Sequence, residues 1–178
     1  GRILPAFPGA GGSIREDVLD AALTPWFIQP TTFAEISGAK TERSECLSAI
    51  FRKAGIPCQE VNDMHVWQLC HLAMVVPIAD AYYEAENPER AGRERKIMHK
   101  TAQRLKRNFC FLKRHCGKLS PGKMNLFLVA PVPVLTIALS FVFESDFGNK
   151  FMYRHAMKAP DEMRQLHKQF YGYVKKRV

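Results

Sequence analysis

Near residue 62 the hydrophobic pattern changes its period, which limits the chain to a small strand layer followed by a helical body. Before it, apolar residues come in short runs closed by turn signals. Arg2-Ile-Leu-Pro-Ala-Phe7 is strand-like and stops at Pro8-Gly-Ala-Gly-Gly12, read as a tight turn. Trp26-Phe-Ile-Gln29 and Thr31-Thr-Phe-Ala-Glu-Ile36 read as extended segments on either side of Pro30, ending at Ser37-Gly38. Thr41 is placed to cap a helix with the apolar face Cys46, Leu47, Ile50, Phe51 and Ala54, which Gly55 closes. Ile56-Pro-Cys-Gln-Glu-Val61 is a further short strand. This front third is an incomplete α/β layer with too few strands for a covered sheet of its own.

After Asp63 the pattern is helical throughout. Met64 to Ala85 is apolar nearly all round between Leu69 and Ala81, the mark of a central buried helix, with Pro77 expected to kink it. Asn87-Pro88 opens a long basic helix that Gly117 ends, and Ser120-Pro121 starts the next. Met124 to Phe143 runs for twenty residues without a charge, long enough to cross a bilayer. Pro131 and Pro133 near its middle each remove a backbone donor, so it reads as two short buried segments. The second is a helix from near Pro133 to about Phe143, and no membrane is expected. Ala159-Pro-Asp-Glu162 opens the last helix, with Met163, Leu166, Phe170 and Val174 as its stripe.

The net charge of +9 is unevenly spread: Arg90 to Lys118 holds eleven Lys and Arg against one acid, Glu94. Such a run attracts nucleic acid, anionic lipid or an acidic partner, or is the solvated face of a long helix. Interleaved aromatics for base stacking are limited to Phe109 and Phe111, so specific nucleic-acid binding is not expected. The five cysteines are odd in number and irregularly spaced, and no secretory leader precedes them. Reduced thiols in a cytoplasmic protein are expected. Cys110, His115 and Cys116 lack the second half of a zinc site, so no metal is assigned.

Two constellations bear on chemistry. Gly9-Ala-Gly-Gly-Ser13 follows a strand but lacks the spacing of a dinucleotide loop, and no Walker loop, Gly-x-Ser-x-Gly elbow or His-Glu-x-x-His occurs. In Asn62 to Pro77, the polar residues His65, Gln68 and His71 enter an otherwise apolar helix beside Trp67. Buried polar groups need partners, so these either satisfy loop backbone or line a pocket.

Phe7-Pro-Gly-Ala-Gly-Gly-Ser-Ile14, Gln29-Pro-Thr-Thr-Phe33 to Gly38, Ala54-Gly-Ile-Pro57 and Asp63-Met-x-x-Trp67-x-x-x-His71 to Pro77 occur in that order. With His155-Ala and Asp161-Glu-Met-Arg164, they resemble the rear part of the ketopantoate reductase family over essentially the whole chain. The resemblance implies an α+β chain. Residues 1–62 would be the closing, Rossmann-type strand layer of a nucleotide-binding domain, and residues 63–178 an all-helical substrate and dimerisation domain. It also implies NADP-dependent reduction of 2-dehydropantoate or a related 2-keto acid, a step toward pantothenate. The N-terminal Rossmann half would be a missing partner, so this chain by itself would hold no cofactor. A homo-oligomer through residues 1–36 is expected, because strands that pair within a larger sheet would lose a neighbour.

The family's general acid is a lysine two residues after the tryptophan. Here Trp67 is followed at that position by Leu69, and Ala73 and Pro77 stand where some members carry asparagines. The resemblance therefore assigns Trp67, Gln68 and His71 to the substrate pocket, with His71 or Gln68 as candidate catalytic groups and Glu162 as a cofactor contact. Two alternatives remain. One is a non-catalytic small-acid or partner-binding protein. The other is a nucleic-acid or anionic-surface binder using the basic helix.

Overall fold

A computed structural model describes residues 2–177 and divides the chain into two compact units, Gly1–Trp67 and Gln68–Val178. The first is a mixed strand and helix layer and the second is helical, so the protein is of mixed α and β class with a small sheet and a helical C-terminal region.

In the first unit, β1 (Ala6–Phe7) pairs antiparallel with β4, and β4 pairs parallel with β5. A separate hairpin joins β2 (Ala10–Arg15) to β3 (Val18–Leu23). Next come β4 (Thr31–Phe33), α1 (Glu42–Lys53) and β5 (Cys58–Glu60), giving the sheet order β1-β4-β5. The strand expected over residues 2–7 is thus only its last two residues.

The segment read as a tight turn at Gly9–Gly12 is instead the start of β2. The reversal comes later, at Glu16 and Asp17, with φ of 48° and 61°. Two successive left-handed residues make a hairpin turn whose twist matches that of its strands. Gly9 serves close approach, not reversal. Its carbonyl accepts from Thr24 N at 2.8 Å and its N–H donates to Thr31 Oγ1 at 3.0 Å. A Cβ there would meet the backbone of Gln29, Pro30 and Thr31.

Residues 26–29, expected to be extended, form a turn in which Ile28 N and Gln29 N both donate to Pro25 O. β4 is the central strand and is paired on both sides, so the sheet's edges are β1 and β5.

Thr41 caps α1 as its sequence predicts: Oγ1 accepts from Ser44 N, and Ser44 Oγ accepts in turn from Thr41 N at 3.0 Å. The same hydroxyl donates to Glu35 Oε1 at 2.6 Å, and the Arg43 guanidinium forks onto both Glu35 oxygens. These bonds hold the Glu35 carboxyl well below the usual range, at about 2, although the residue is buried. The face of α1 turned inward is narrower than expected. Ser44 is buried and Leu47 and Phe51 are half-buried, while Cys46, Ala54 and Ile50 are exposed. Gly55 closes the helix in the left-handed region, at φ 69°.

The helical unit is organised around α2 (Met64–Glu84) and α3 (Arg95–Cys116). Asn87-Pro88 does open a helix, but it is a short 3-10 helix, Pro88–Arg93, and α3 begins beyond Glu94. Met98, Ala102, Leu105, Phe109 and Leu112 are fully buried along one face of α3. Side chains of this size each contribute roughly 1.5–3 kcal/mol when fully buried. Gly117, at φ 71°, ends α3 as expected.

Pro77 lies inside α2 and cannot donate to the carbonyl four residues back. That carbonyl, Ala73 O, accepts instead from the buried Asn108 Nδ2 of α3 at 3.2 Å. The second element thus repairs the defect in the first.

The uncharged stretch divides at its prolines into α4 (Leu126–Val129) and α5 (Val132–Phe143). Lys106 Nζ donates to the Leu128 and Ala130 carbonyls at the break, at 2.9 and 2.8 Å. Leu135, Leu139 and Phe143 are buried, but Val134, Ile137 and Phe141 are 55%, 59% and 75% exposed. The expected buried segment is therefore buried on one face only.

After a π-helical turn at Gly148–Tyr153 come α6 (Arg154–Lys158) and α7 (Pro160–Lys175). On α7, Met163 and Phe170 are buried, and Leu166 and Val174 half-buried, as the stripe predicts. No helix among the described residues is long and apolar enough to cross a membrane.

Candidate functional site

The first turns of α2 carry the residues singled out from the sequence. Trp67 is 3% exposed and packs in the first unit with Phe7, Ala34, Val61 and Met64, its ring 5.3 Å from that of Phe7. It is a core residue of that unit. Gln68 is exposed and opens the second unit. Leu69, where the resembling family has its lysine, is 6% exposed, and Ala73 and Pro77 are buried.

His71 is half-buried. Burial, with the charge of His155 as a smaller cause, lowers its pKa to about 4. At neutral pH its ring is uncharged, so it offers hydrogen bonds rather than a ready proton. Glu162 is exposed in the first turn of α7, where a carboxylate favours the helix dipole.

A denser polar constellation lies farther along α2, where it faces α3 and α7. Asp80 and Glu84 are one turn apart. Arg104 Nη1 lies 3.7 Å from Asp80 Oδ2 and 2.8 Å from Glu84 Oε1, and Lys100 Nζ lies 2.8 Å from Glu84 Oε2. From α7, His167 Nδ1 lies 3.0 Å from both Asp80 oxygens. The His167 ring rests 4.7 Å from Tyr171.

Burial pushes the Asp80 carboxyl up from its ordinary value, against the pull of His167 and Arg104. The salt bridges draw Glu84 down against the opposing effect of burial. Asp80, Tyr83, Arg164, His167 and Lys168 line a cleft of about 260 Å³.

Sequence reasoning weighed the apolar run of α2 and the two histidines near its start, and so missed this group. The available signal was local: Asp80 and Glu84 are the only acids within α2. Their partner His167 is 87 residues away from Asp80, beyond any spacing argument.

The basic run is partly consumed inside the unit. Arg93 pairs with Glu144 at 2.7 Å, Lys100 and Arg104 pair with α2, and Lys106 caps α4. Among the described residues no group of His, Cys, Asp and Glu is disposed to hold a metal ion. No family model, curated protein or solved structure matches the chain.

Proposed function

We propose that these residues form the rear portion of a ketopantoate-reductase-like, NADP-dependent oxidoreductase acting on 2-dehydropantoate or a related 2-keto acid. In this reading the first unit is the closing, Rossmann-type strand layer of a nucleotide-binding domain. The second is the helical substrate domain. The observation that carries the reading is the parallel unit β4–α1–β5, which passes directly into the long apolar helix α2. A parallel pair joined by a helix is the building block of nucleotide-binding sheets, and here it is followed only by helices. Of the motifs behind the resemblance, Gln29 to Gly38 contains β4, Ala54 to Pro57 is the loop between α1 and β5, and Asp63 to Pro77 opens α2.

The nucleotide would be held by sequence other than residues 1–178, which contain no Gly-x-Gly-x-x-Gly loop. Residues 1–178 should therefore bind neither NADPH nor NADH in calorimetry, and micromolar affinity would refute that part. With a nucleotide-binding half supplied, 2-dehydropantoate-dependent NADPH oxidation should be weak. Leu69→Lys should raise it, since a placed proton donor contributes ~10²–10⁴-fold. Strong activity without the substitution would mean another group is the acid. No activity in either protein, with NADPH bound, would sink the reductase reading.

The second reading is a non-catalytic small-acid or partner-binding protein, and it draws on the absence of a placed proton donor here: Leu69 is buried and His71 is uncharged at neutral pH.

A further inference from the structure

The cleft between α2 and α7 gathers more positive charge than its own carboxylate needs. Asp80 is 14% exposed and already has two partners, the His167 ring at 3.0 Å and the Arg104 guanidinium at 3.7 Å. By taking Nδ1, Asp80 fixes the His167 ring and leaves Nε2 for another partner. Arg164 and Lys168 stand one turn apart on α7 and line the same cleft. Arg164 is ion-paired with its helix neighbour Asp161, which is 93% exposed. Such an exposed surface pair is weak and yields readily to a better acceptor. Lys168 has no ion-pair partner among the described residues. Tyr83 presents its ring, because its hydroxyl donates to Ala156 O at 2.6 Å.

We propose that this cleft binds a phosphate group carried on a small molecule, held by Arg164, Lys168 and the Nε2 of His167, with Asp80 as the residue that positions the imidazole. The class follows from charge and size. Two cations, Arg164 and Lys168, on one cleft match the charge of about −1.5 to −2 on a phosphate monoester, with His167 Nε2 as a third nitrogen beside them, whereas a carboxylate offsets only one cation. A volume of about 260 Å³ suits a phosphate with a short carbon chain and is too small for a dinucleotide. None of this depends on the reductase reading, and the test contains no nicotinamide.

The test is an NMR titration of the His167 ring protons in the full chain at constant ionic strength, with inorganic phosphate, glycerol 3-phosphate and acetate. Saturable shifts with both phosphates at millimolar or lower concentration are expected, with acetate at least tenfold weaker. A tighter response to glycerol 3-phosphate than to inorganic phosphate would identify an organic phosphate as the ligand, and the reverse order free phosphate. Arg164→Gln with Lys168→Gln, both at the surface, should weaken binding at least tenfold, while Arg114→Gln on exposed α3 surface should not. A non-saturating response, equal affinity for acetate, or unchanged affinity in the double variant would overturn the proposal.

Discussion

Two side chains, one in each unit, set how this protein meets acid. The Glu35 carboxyl titrates at about 2 because Arg43 and Thr41 bond its charged form. Its contribution is complete above the unfolded carboxyl value of 4.5 and is lost as pH falls toward 2. His71 acts over a higher range. Its folded pKa of about 4 lies below the unfolded 6.5, so the unfolded chain binds the proton first. Stability of the helical unit therefore falls as pH drops from 6.5 to 4 and then levels, by an amount on the order of 3 kcal/mol. Denaturant unfolding followed from pH 7.5 to 2.5 should show both steps. His71→Leu should remove the upper step and leave the lower, and Glu35→Gln should do the reverse at some cost at pH 7. A profile unchanged by His71→Leu would mean that its ring is solvated.

The helices show what local sequence determines and where it stops. Thr41, Gly55, Gly117 and Pro133 mark boundaries because caps and missing donors act within one turn, and the structure has elements beginning or ending at each. The hairpin was not legible. Its first strand is glycine-rich, and its turn residues, Glu16 and Asp17, carry no Asn-Gly signal. The Asp80–His167 pair was not legible either, since it depends on how α7 packs against α2.

Pro77 and Asn108 are an intermediate case. The proline announces a carbonyl without a donor, but nothing in the sequence says that Asn108 supplies one. Asn108→Leu should therefore destabilise by about 1–3 kcal/mol, since it leaves Ala73 O buried without its donor. In a Pro77→Ala background the new N–H can take that carbonyl, and the same substitution should cost about 1 kcal/mol less. Equal costs in the two backgrounds would show that Asn108 acts by packing alone.

At the scale of the whole molecule, each unit exposes an apolar surface of its own. In the first, Val18, Leu19, Leu23, Trp26, Phe27 and Ile36 are exposed, Trp26 and Ile36 by about three quarters. In the second, Leu126, Val129, Val134, Ile137 and Phe141 form an exposed strip along α4 and α5. Soluble monomers rarely carry contiguous apolar patches beyond a few hundred Å², so association is expected. If residues 1–36 are the contact, the side chains free to make it are those exposed on β3 and the 26–27 turn. β4 is already paired on both sides and offers no free edge. For that reason deleting residues 1–36 is a poor test, because it removes the central strand of the sheet. Leu19→Lys with Phe27→Ser changes exposed side chains only and should leave the fold intact. Light scattering should find a dimer or larger species for the parent chain and a shift toward monomer for this double variant. Ile137→Lys with Phe141→Lys should leave the assembly in place. If the second pair dissociates it and the first does not, α5 is the contact and the reading of residues 1–36 fails. A monodisperse parent monomer at high concentration would exclude both surfaces as contacts between copies.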